Sequence, residues 1–336
     1  MFRVAGPAVV DLSDVEGAGI GEDLARRDFT VNALGVDLAT GEWLDPFGGL
    51  ADLAAGRLRL VREANFREDP LRAFRAARLL ATHGLRPDRR TLAACRETAP
   101  RLAGVAPERI AVELTKLLEA ERAGPAFRFA LAAGLLAPAL DLPRPRERFA
   151  SAARRIARLD RTASRLPAGR RRVLRLAALA EGVGLTPPEA AGWLARRRFG
   201  RAEAGAAARL MELARLAAAG PRGRGAWAWI HDAGDLAQDA LALARLASAR
   251  SARAAAALRR LHARRAAGPE VTGADVMTWA TLPEGRAVGE LLREVRIEVL
   301  RGRVKTRREA RRFVEGRAAG TAAPAPKVVP SKRRRP

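Results

Sequence analysis

Residues Phe66 to Leu80 read FREDPLRAFRAARLL, and they mark where the chain changes character. An acidic pair, Glu68 and Asp69, precedes Pro70, a residue suited to the first position of a helix and not to its interior. The spacing predicts a helix over Pro70 to Thr82, with Asp69 as its N-cap and Gly84 as its stop. Arg72, Arg75 and Arg78 recur every three residues and drift by about 60° per step, so they share one broad face. Asp69 lies on the extension of that stripe. Leu71, Phe74, Leu79 and Leu80 flank it, so the helix is expected to be buried around a charged seam. Packing like charges together is costly unless an anion sits against them. Two readings follow: a polyphosphate ligand, or a network of ion pairs within the protein.

Upstream of this helix the chain reads as short strands. Phe2 to Val4 and Ala8 to Leu12 are brief apolar stretches broken by Gly6 and Pro7. Ala33 to Leu38, the turn Ala39-Thr40-Gly41 and Glu42 to Leu44 predict a hairpin, and Arg57 to Val61 a further strand. Downstream the pattern is helical, over Arg89 to Thr98, Pro107 to Ala120 and Pro125 to Ala133. Breaks fall at Leu142 to Pro145 and at Gly220 to Gly225, and a later unit runs from near Val271 to near Gly320. No repeat of fixed period is present. The class is α+β, mostly α. The last residues, TAAPAPKVVPSKRRRP, lack the apolar content needed to order themselves.

The 336 residues carry 62 basic and 37 acidic side chains, a net charge of +25, and are 48% hydrophobic. That is enough to bury cores in two or more compact units. No apolar run is long enough to span a bilayer and no leader is evident, so no membrane segment is expected. One cysteine, Cys95, forms no internal disulfide, and three scattered histidines cannot build a multi-histidine metal cage. A reducing cytoplasm is the expected location. The charge points to a polyanionic partner, nucleic acid ahead of anionic membrane, although a coding bias toward arginine is a competing source. Trp227 and Trp229, beside Arg222 and Arg224, read as packing residues before base-stacking ones, Cys95 as a buried inert thiol, and His83 as a helix-end dipole partner.

Two more segments stand beside the helix: DLARRDFTVNAL, Asp23 to Leu34, and DPFGGLADL, Asp45 to Leu53. In this order the three resemble the tRNA nucleotidyltransferase/poly(A) polymerase family, which includes the bacterial CCA-adding enzymes. RRDFTVNAL is similar to the family's second motif, DPFGGLADL to its hinge, and EDPLRAFRAAR to its nucleotide-selecting motif. PERIAVELTKLL, Pro107 to Leu118, resembles the supporting helix, and GPAFRFALAAGLLAPAL the neck. Thr272 to Ala310 resembles the C-terminal RNA-contacting segment, with Pro283-Glu284-Gly285 where a Pro-Gly pair is usual. Residues 146–265 match loosely.

The resemblance implies a truncated polymerase-β-like nucleotidyltransferase head over 1–62 and an elongated all-α remainder. The remainder comprises a nucleotide-selecting neck over 63–145, a body over 146–265, an RNA-contacting tail over 266–320 and a disordered basic end over 321–336. It implies CTP, ATP and a tRNA 3′ end as substrates. Arg27 would contact the sugar or phosphate of the nucleotide, with Asp28 and Asn32 shaping its pocket. Asp69 and Arg72 would read the base, and Arg75 and Arg78 would hold the triphosphate. Asp45, Gly48, Gly49 and Asp52 would form the hinge, with Glu68 at the helix start. Cytosine and adenine both present an amino donor beside a ring-nitrogen acceptor, which suits a carboxylate beside a guanidinium. Uracil and guanine present a carbonyl to the carboxylate, a mismatch worth roughly 2–4 kcal/mol in a dry site.

The family also implies Mg2+, held by an Asp-x-Asp pair after a Gly-Gly-x-x-Arg-Asp turn, both upstream of the RRD segment. The twenty-five residues before Arg26 contain no such turn, and Asp11 and Asp14 are too differently oriented along a strand to replace the pair. The expectation is a fragment or a late start rather than a decayed remnant, with no metal ligands and no polymerisation by the chain as written. The opening Met1-Phe2-Arg3 would be a strand without its sheet neighbours. A poly(A) polymerase or an enzyme adding part of the CCA end shares these motifs. A non-catalytic RNA-binding protein is the reading from another class. A purely structural helical scaffold leaves the seam from Asp69 to Arg78 unexplained.

Overall fold

The computed structural model describes residues 2–5, 9–12 and 17–321, with side chains from 17 to 319. The terminal segment read as disordered, apart from Thr321, and Asp14 lie outside the described residues. β1 (Phe2–Ala5) and β2 (Val9–Leu12) form an antiparallel pair with Phe2 opposite Leu12, so the first strand has a neighbour on one side. After α1 (Ile20–Ala25) and a 3-10 turn at Thr30–Asn32 comes the expected hairpin, reduced to two-residue arms. These are β3 (Gly35–Val36) and β4 (Trp43–Leu44), and Asp37 Oδ1 accepts from the Ala39 and Thr40 amides in the turn.

After α2 (Gly49–Ala54), β5 (Arg57–Leu58) pairs in parallel with β6 (Arg86–Pro87). The sequence reading had no partner for this strand, because the partner lies beyond two intervening helices and is itself only two residues long. Those helices are α3 (Glu63–Glu68) and α4 (Leu71–His83). The sequence reading placed a helix start at Glu68 and Asp69. Glu68 instead closes α3, Asp69 is extended, and the capping position of α4 is Pro70. The Asp69 carboxylate takes only the Leu71 amide of α4, at 3.2 Å. Gly84 ends α4 with φ 71°, a left-handed conformation that glycine adopts without strain. Phe29 and Phe66 meet edge to face at 5.6 Å, and with Phe74, Ala76 and Ala77 they seal the junction between the strands and α4.

The helical part of the first unit continues through α5 (Arg89–Thr98), α6 (Pro107–Glu119), α7 (Gly124–Ala132) and α8 (Leu136–Leu140). It goes on through α9 (Arg146–Ala163), α10 (Ala168–Gly182) and α11 (Pro187–Arg196) into α12 (Arg201–Ala219). Small residues let these helices approach closely. A Cβ on Gly182 would stand 2.3 Å from Ala152 Cα, and one on Gly124 would stand 2.7 Å from Ala157 Cα. Cys95 is buried, and burial pushes its thiol up to about 12, in line with an inert core role.

Between α9 and α10, burial pushes the Glu181 carboxyl up to about 7, against the pull of Arg155, whose Nη1 is 2.9 Å away. The folded state therefore binds this proton more tightly than the unfolded chain does. Stability from this group is full below the unfolded value near 4.5 and is lost as pH rises toward 7. Glu181→Gln is accordingly expected to stabilise the protein by about 1–3 kcal/mol at pH 8 and by nothing measurable at pH 4.5. Melting curves of both proteins at the two pH values check this, and a gain independent of pH refutes it.

The chain divides into two compact units between Glu212 and Leu213, inside the segment 146–265 that the family pattern assigns to one body. The second unit contains α13 (Gly223–Ala233), α14 (Ala237–Ala244), α15 (Ala249–Ala263), α16 (Gly273–Ala280), α17 (Arg286–Leu300) and α18 (Arg307–Thr321). Val276, Val295 and Val314 centre the core of the last three. Trp229 is buried and donates its Nε1–H to Leu213 O at 2.9 Å, which makes it a packing residue. No helix among the described residues is long and apolar enough to cross a membrane.

Candidate functional site

The turn between α1 and β3 carries Arg27, Asp28 and Asn32. Asp28 is buried, and its Oδ1 accepts from the Phe29 amide and from Asn32 Nδ2, both at 2.9 Å. The side chain thus folds the turn around itself. Its other oxygen, Oδ2, lies 3.2 Å from Arg75 Nε on α4. Arg27 points to the surface and pairs with Asp23 at 2.6 Å. A surface pair of this kind is worth little, so Arg27 can exchange its partner for a ligand anion at small cost.

On α4 the three arginines keep the common face that their spacing predicts, each partly buried. Arg78 Nε stands 2.5 Å from Glu113 Oε2, and Arg75 Nε stands 3.9 Å from Glu113 Oε1. Glu113 and Asp28 are therefore the anions that face the seam. Of the two alternatives drawn from the sequence, the network of ion pairs is present, with Asp28 and Glu113 supplying its negative charge. Arg75 remains 34% exposed against 12% for Arg78. Asp28 Oδ2, Arg75 Nε, Arg78 Nε and Glu113 Oε2 are buried and close to opposite charge, yet none has a hydrogen bond. Such groups are held at a cost that a better-aligned partner relieves.

Asp69 and Arg72 sit where α3 meets α4. Asp69 Oδ2 accepts from Arg109 Nη2 of α6 at 2.8 Å, and Arg72 Nη1 donates to Asn65 O at 3.1 Å. Neither is sealed, and both keep some exposure to solvent. Glu68 is exposed on the same turn.

The residues of the Asp45 to Leu53 segment form a second knot beside the first. Asp45 accepts from the Gly49 and Leu50 amides at 2.6 and 3.1 Å and so starts α2. Gly48 has φ 74°, and a Cβ on Gly49 would lie 2.2 Å from Thr30 O, so only glycine lets α2 approach the Asp28 turn. Asp52 is fully buried there. Its Oδ2 accepts from Thr30 Oγ1 at 2.7 Å and Arg59 Nε at 2.8 Å, and its Oδ1 lies 3.1 Å from Arg57. Burial works to raise its pKa, but the Thr30 and Arg59 hydrogen bonds and the two arginine charges hold it below the usual carboxylate range. That lowered pKa contributes stability above about pH 4 and loses it as pH falls further. Asp52→Asn is expected to melt well below the parent protein at pH 7 and to converge with it under acid. A constant gap across pH would contradict this.

Sequence reasoning missed three residues of this site: Asn65, Arg109 and Glu113. Asn65 is buried, and its Nδ2 donates to Ala25 O and Arg27 O, each at 2.8 Å. It joins the RRD turn to α3, while its carbonyl holds Arg72. A signal existed, for the chain contains two asparagines, Asn32 and Asn65, and both lie here. Asn65→Ala strands two carbonyls and is expected to cost about 1–3 kcal/mol of stability and to weaken nucleotide binding. Thermal melts and nucleotide titration measure the two effects, and a variant unchanged in both removes the joining role.

Among the described residues no three His, Cys, Asp or Glu side chains gather to hold a metal ion. Among the described side chains the Mg2+ implied by the resemblance therefore meets no such cluster.

The site thus joins a small β segment, through its turns, to an arginine-lined helix. A family model described as "Poly A polymerase head domain" matches residues 5–59, and one described as "Probable RNA and SrmB- binding site of polymerase A" matches 84–143. A CC-adding tRNA nucleotidyltransferase of Geobacter sulfurreducens is 34% identical over 348 residues, covering 94% of this chain and 79% of the relative. A CCA-adding enzyme of Leuconostoc mesenteroides is 45% identical over 112 residues, 33% of this chain and 28% of that one. The crystal structure of the Bacillus stearothermophilus CCA-adding enzyme in complex with CTP superposes with TM-score 0.61 at 28% identity, covering 90% of this chain and 75% of that one. The Thermotoga maritima CCA-adding enzyme complexed with tRNA shares the fold, with TM-score 0.63 at 18% identity over 89% and 74%. The chain belongs to the tRNA nucleotidyltransferase/poly(A) polymerase family.

Proposed function

We propose that this protein selects CTP and ATP for addition to the 3′ end of tRNA in the cytoplasm, as a template-independent nucleotidyltransferase. One observation carries the reading. Asp28, Asp69, Arg72 and Arg75 come from two separate motifs, and Asn65, Glu113 and Arg109 tie them into one partly open wall. In this reading residues 1–62 form the head, 63–145 the selecting neck, 146–265 the body and 266–320 the RNA-contacting tail. Arg27 approaches the sugar or phosphates from the surface, and the Asp28–Asn32 turn shapes the pocket. Arg109 holds the Asp69 carboxylate as acceptor for an exocyclic amine, while Arg72 donates to the adjacent ring nitrogen. Arg75, the more open of the seam arginines, meets the triphosphate. Arg78 is largely committed to Glu113 and steadies the helix beneath.

Titration of the protein with each of the four nucleoside triphosphates tests the selection. CTP and ATP are expected to bind at least about thirtyfold more tightly than UTP and GTP, the lower end of the mismatch cost. Indifference among the four discards the protein template. A second reading, addition of cytidines alone, is favoured by the 34% identical relative being a CC-adding enzyme. Product length on a tRNA lacking its CCA end separates the two.

A further inference from the structure

α7 and α9 pack closely because Gly124 leaves no side chain between them at Ala157. Beside this contact lies a cavity of about 370 Å³, with Arg128, Arg154 and Arg158 around a floor that includes Leu131, Ala153 and Ala157. None of the three arginines has a hydrogen bond or ion pair among the described residues. Their neighbours do: Arg155 is bonded to Glu181, Arg172 to Glu119 and Glu203, and Arg175 to Asp160. Inward-turned arginines of α9 and α10 are thus matched with carboxylates or backbone carbonyls, whereas the three that line this groove are exposed and keep their charge open. Glu147, the acidic residue on the same stripe of α9, is seven residues from Arg154, about 10 Å along the axis.

Three cations from two helices around one apolar floor repel one another, and the arrangement gains most from a partner with repeated negative charge. Arg154 and Arg158 are one turn apart, about 6 Å along α9, with Arg128 facing them from α7. A single small anion reaches one or two of these groups, whereas a phosphodiester chain lying along the groove meets all three. The methyl floor excludes nothing and lets the backbone settle close. A bilayer surface does not enter a concave groove between helices.

We propose that the α7–α9 groove is a phosphate-backbone contact for the RNA substrate, with Arg128, Arg154 and Arg158 as its cationic residues. The proposal rests on the reading of the protein as a tRNA nucleotidyltransferase, and it adds a contact that takes no part in nucleotide selection.

The test is binding of a transcribed tRNA lacking its CCA end over a range of salt concentrations. It compares the parent protein, Arg154→Gln/Arg158→Gln, and the equal-charge control Arg196→Gln/Arg201→Gln on exposed positions of α11 and α12. The groove variant is expected to bind about tenfold more weakly, with a log–log salt slope lower by about 1.5, the release from two phosphate contacts. The control is expected to keep the parent slope, and CTP titration to be the same in all three. If the parent binds tRNA and the two variants behave alike, net charge accounts for the effect and the groove is refuted while the functional reading stands. If the parent binds no tRNA, the functional reading falls and takes the groove with it. Displacement of tRNA by poly-glutamate as effectively as by RNA at equal charge would assign the groove to an acidic protein instead.

Discussion

Replacing Arg175 with methionine is expected to lower the unfolding free energy of the first unit by about 3–5 kcal/mol, the usual cost of removing one partner from a buried ion pair. Arg175 has no exposed surface, and it works as a rivet where α6 ends, α7 begins and α9 and α10 cross. Its Nη1 donates to Leu118 O at 2.7 Å and to Ala120 O, and its Nη2 to Glu121 O at 2.9 Å and Asp160 Oδ1 at 2.8 Å. Asp160 in turn accepts from the Ala123 and Gly124 amides that open α7. Burial pulls the guanidinium below its ordinary pKa, and Asp160 opposes that pull. Methionine fills similar volume but leaves three carbonyls at a helix end without a donor, so lost packing is not the source of the effect. Asp160→Asn is expected to cost less, because the three carbonyls keep their donor. Urea denaturation measures both, and an Arg175→Met protein within 1 kcal/mol of the parent would overturn the assignment.

Arg175 also shows where a one-dimensional reading stops. In the sequence it is one of several arginines in RRRVLRLAALAEG, and nothing in that run distinguishes the buried one from its solvated neighbours. Its partners lie 15 to 57 residues away and are mostly backbone carbonyls, which leave no trace in residue identity. The same reason hid β6, whose two residues pair across a pair of helices. By contrast, the face shared by Arg72, Arg75 and Arg78, the stop at Gly84 and the hairpin at Asp37 follow from local geometry alone, and the structure keeps them. The start of α4 moved because Asp69 has a stronger partner in Arg109 than in the helix it was expected to cap. Asn65, Arg109 and Glu113 went unread for a related cause. Each acts by completing the hydrogen bonds or charges of another motif, and that complementarity exists only once the motifs meet.

Arg72→Ala is expected to lower discrimination among bases sharply while leaving triphosphate binding largely in place. In the proposed reading the carboxylate of Asp69 and the guanidinium of Arg72 share one base edge. Arg109 fixes the first at 2.8 Å, and Asn65 O anchors the second at 3.1 Å. Removing Arg72 takes away the donor to the ring nitrogen, so a correct base loses a charge-assisted bond and a wrong base loses a clash of donors. The two changes have opposite sign, and the affinities of CTP and UTP therefore converge. The carbonyl of uracil or guanine still meets the Asp69 carboxylate, so a ratio of about 30 to 1,000, the equivalent of roughly 2–4 kcal/mol, is expected to shrink without reaching one. Lysine at this position restores charge but not the planar donor pair, so Arg72→Lys is expected to recover affinity without selectivity. Arg27→Ala has a different signature. That side chain faces solvent, and in the proposed reading it meets the sugar or phosphates, so its loss is expected to weaken all four triphosphates by the same factor. Competition titrations with the four nucleotides separate these patterns, and unchanged selectivity in Arg72→Ala would remove the physical basis for a protein template on this helix.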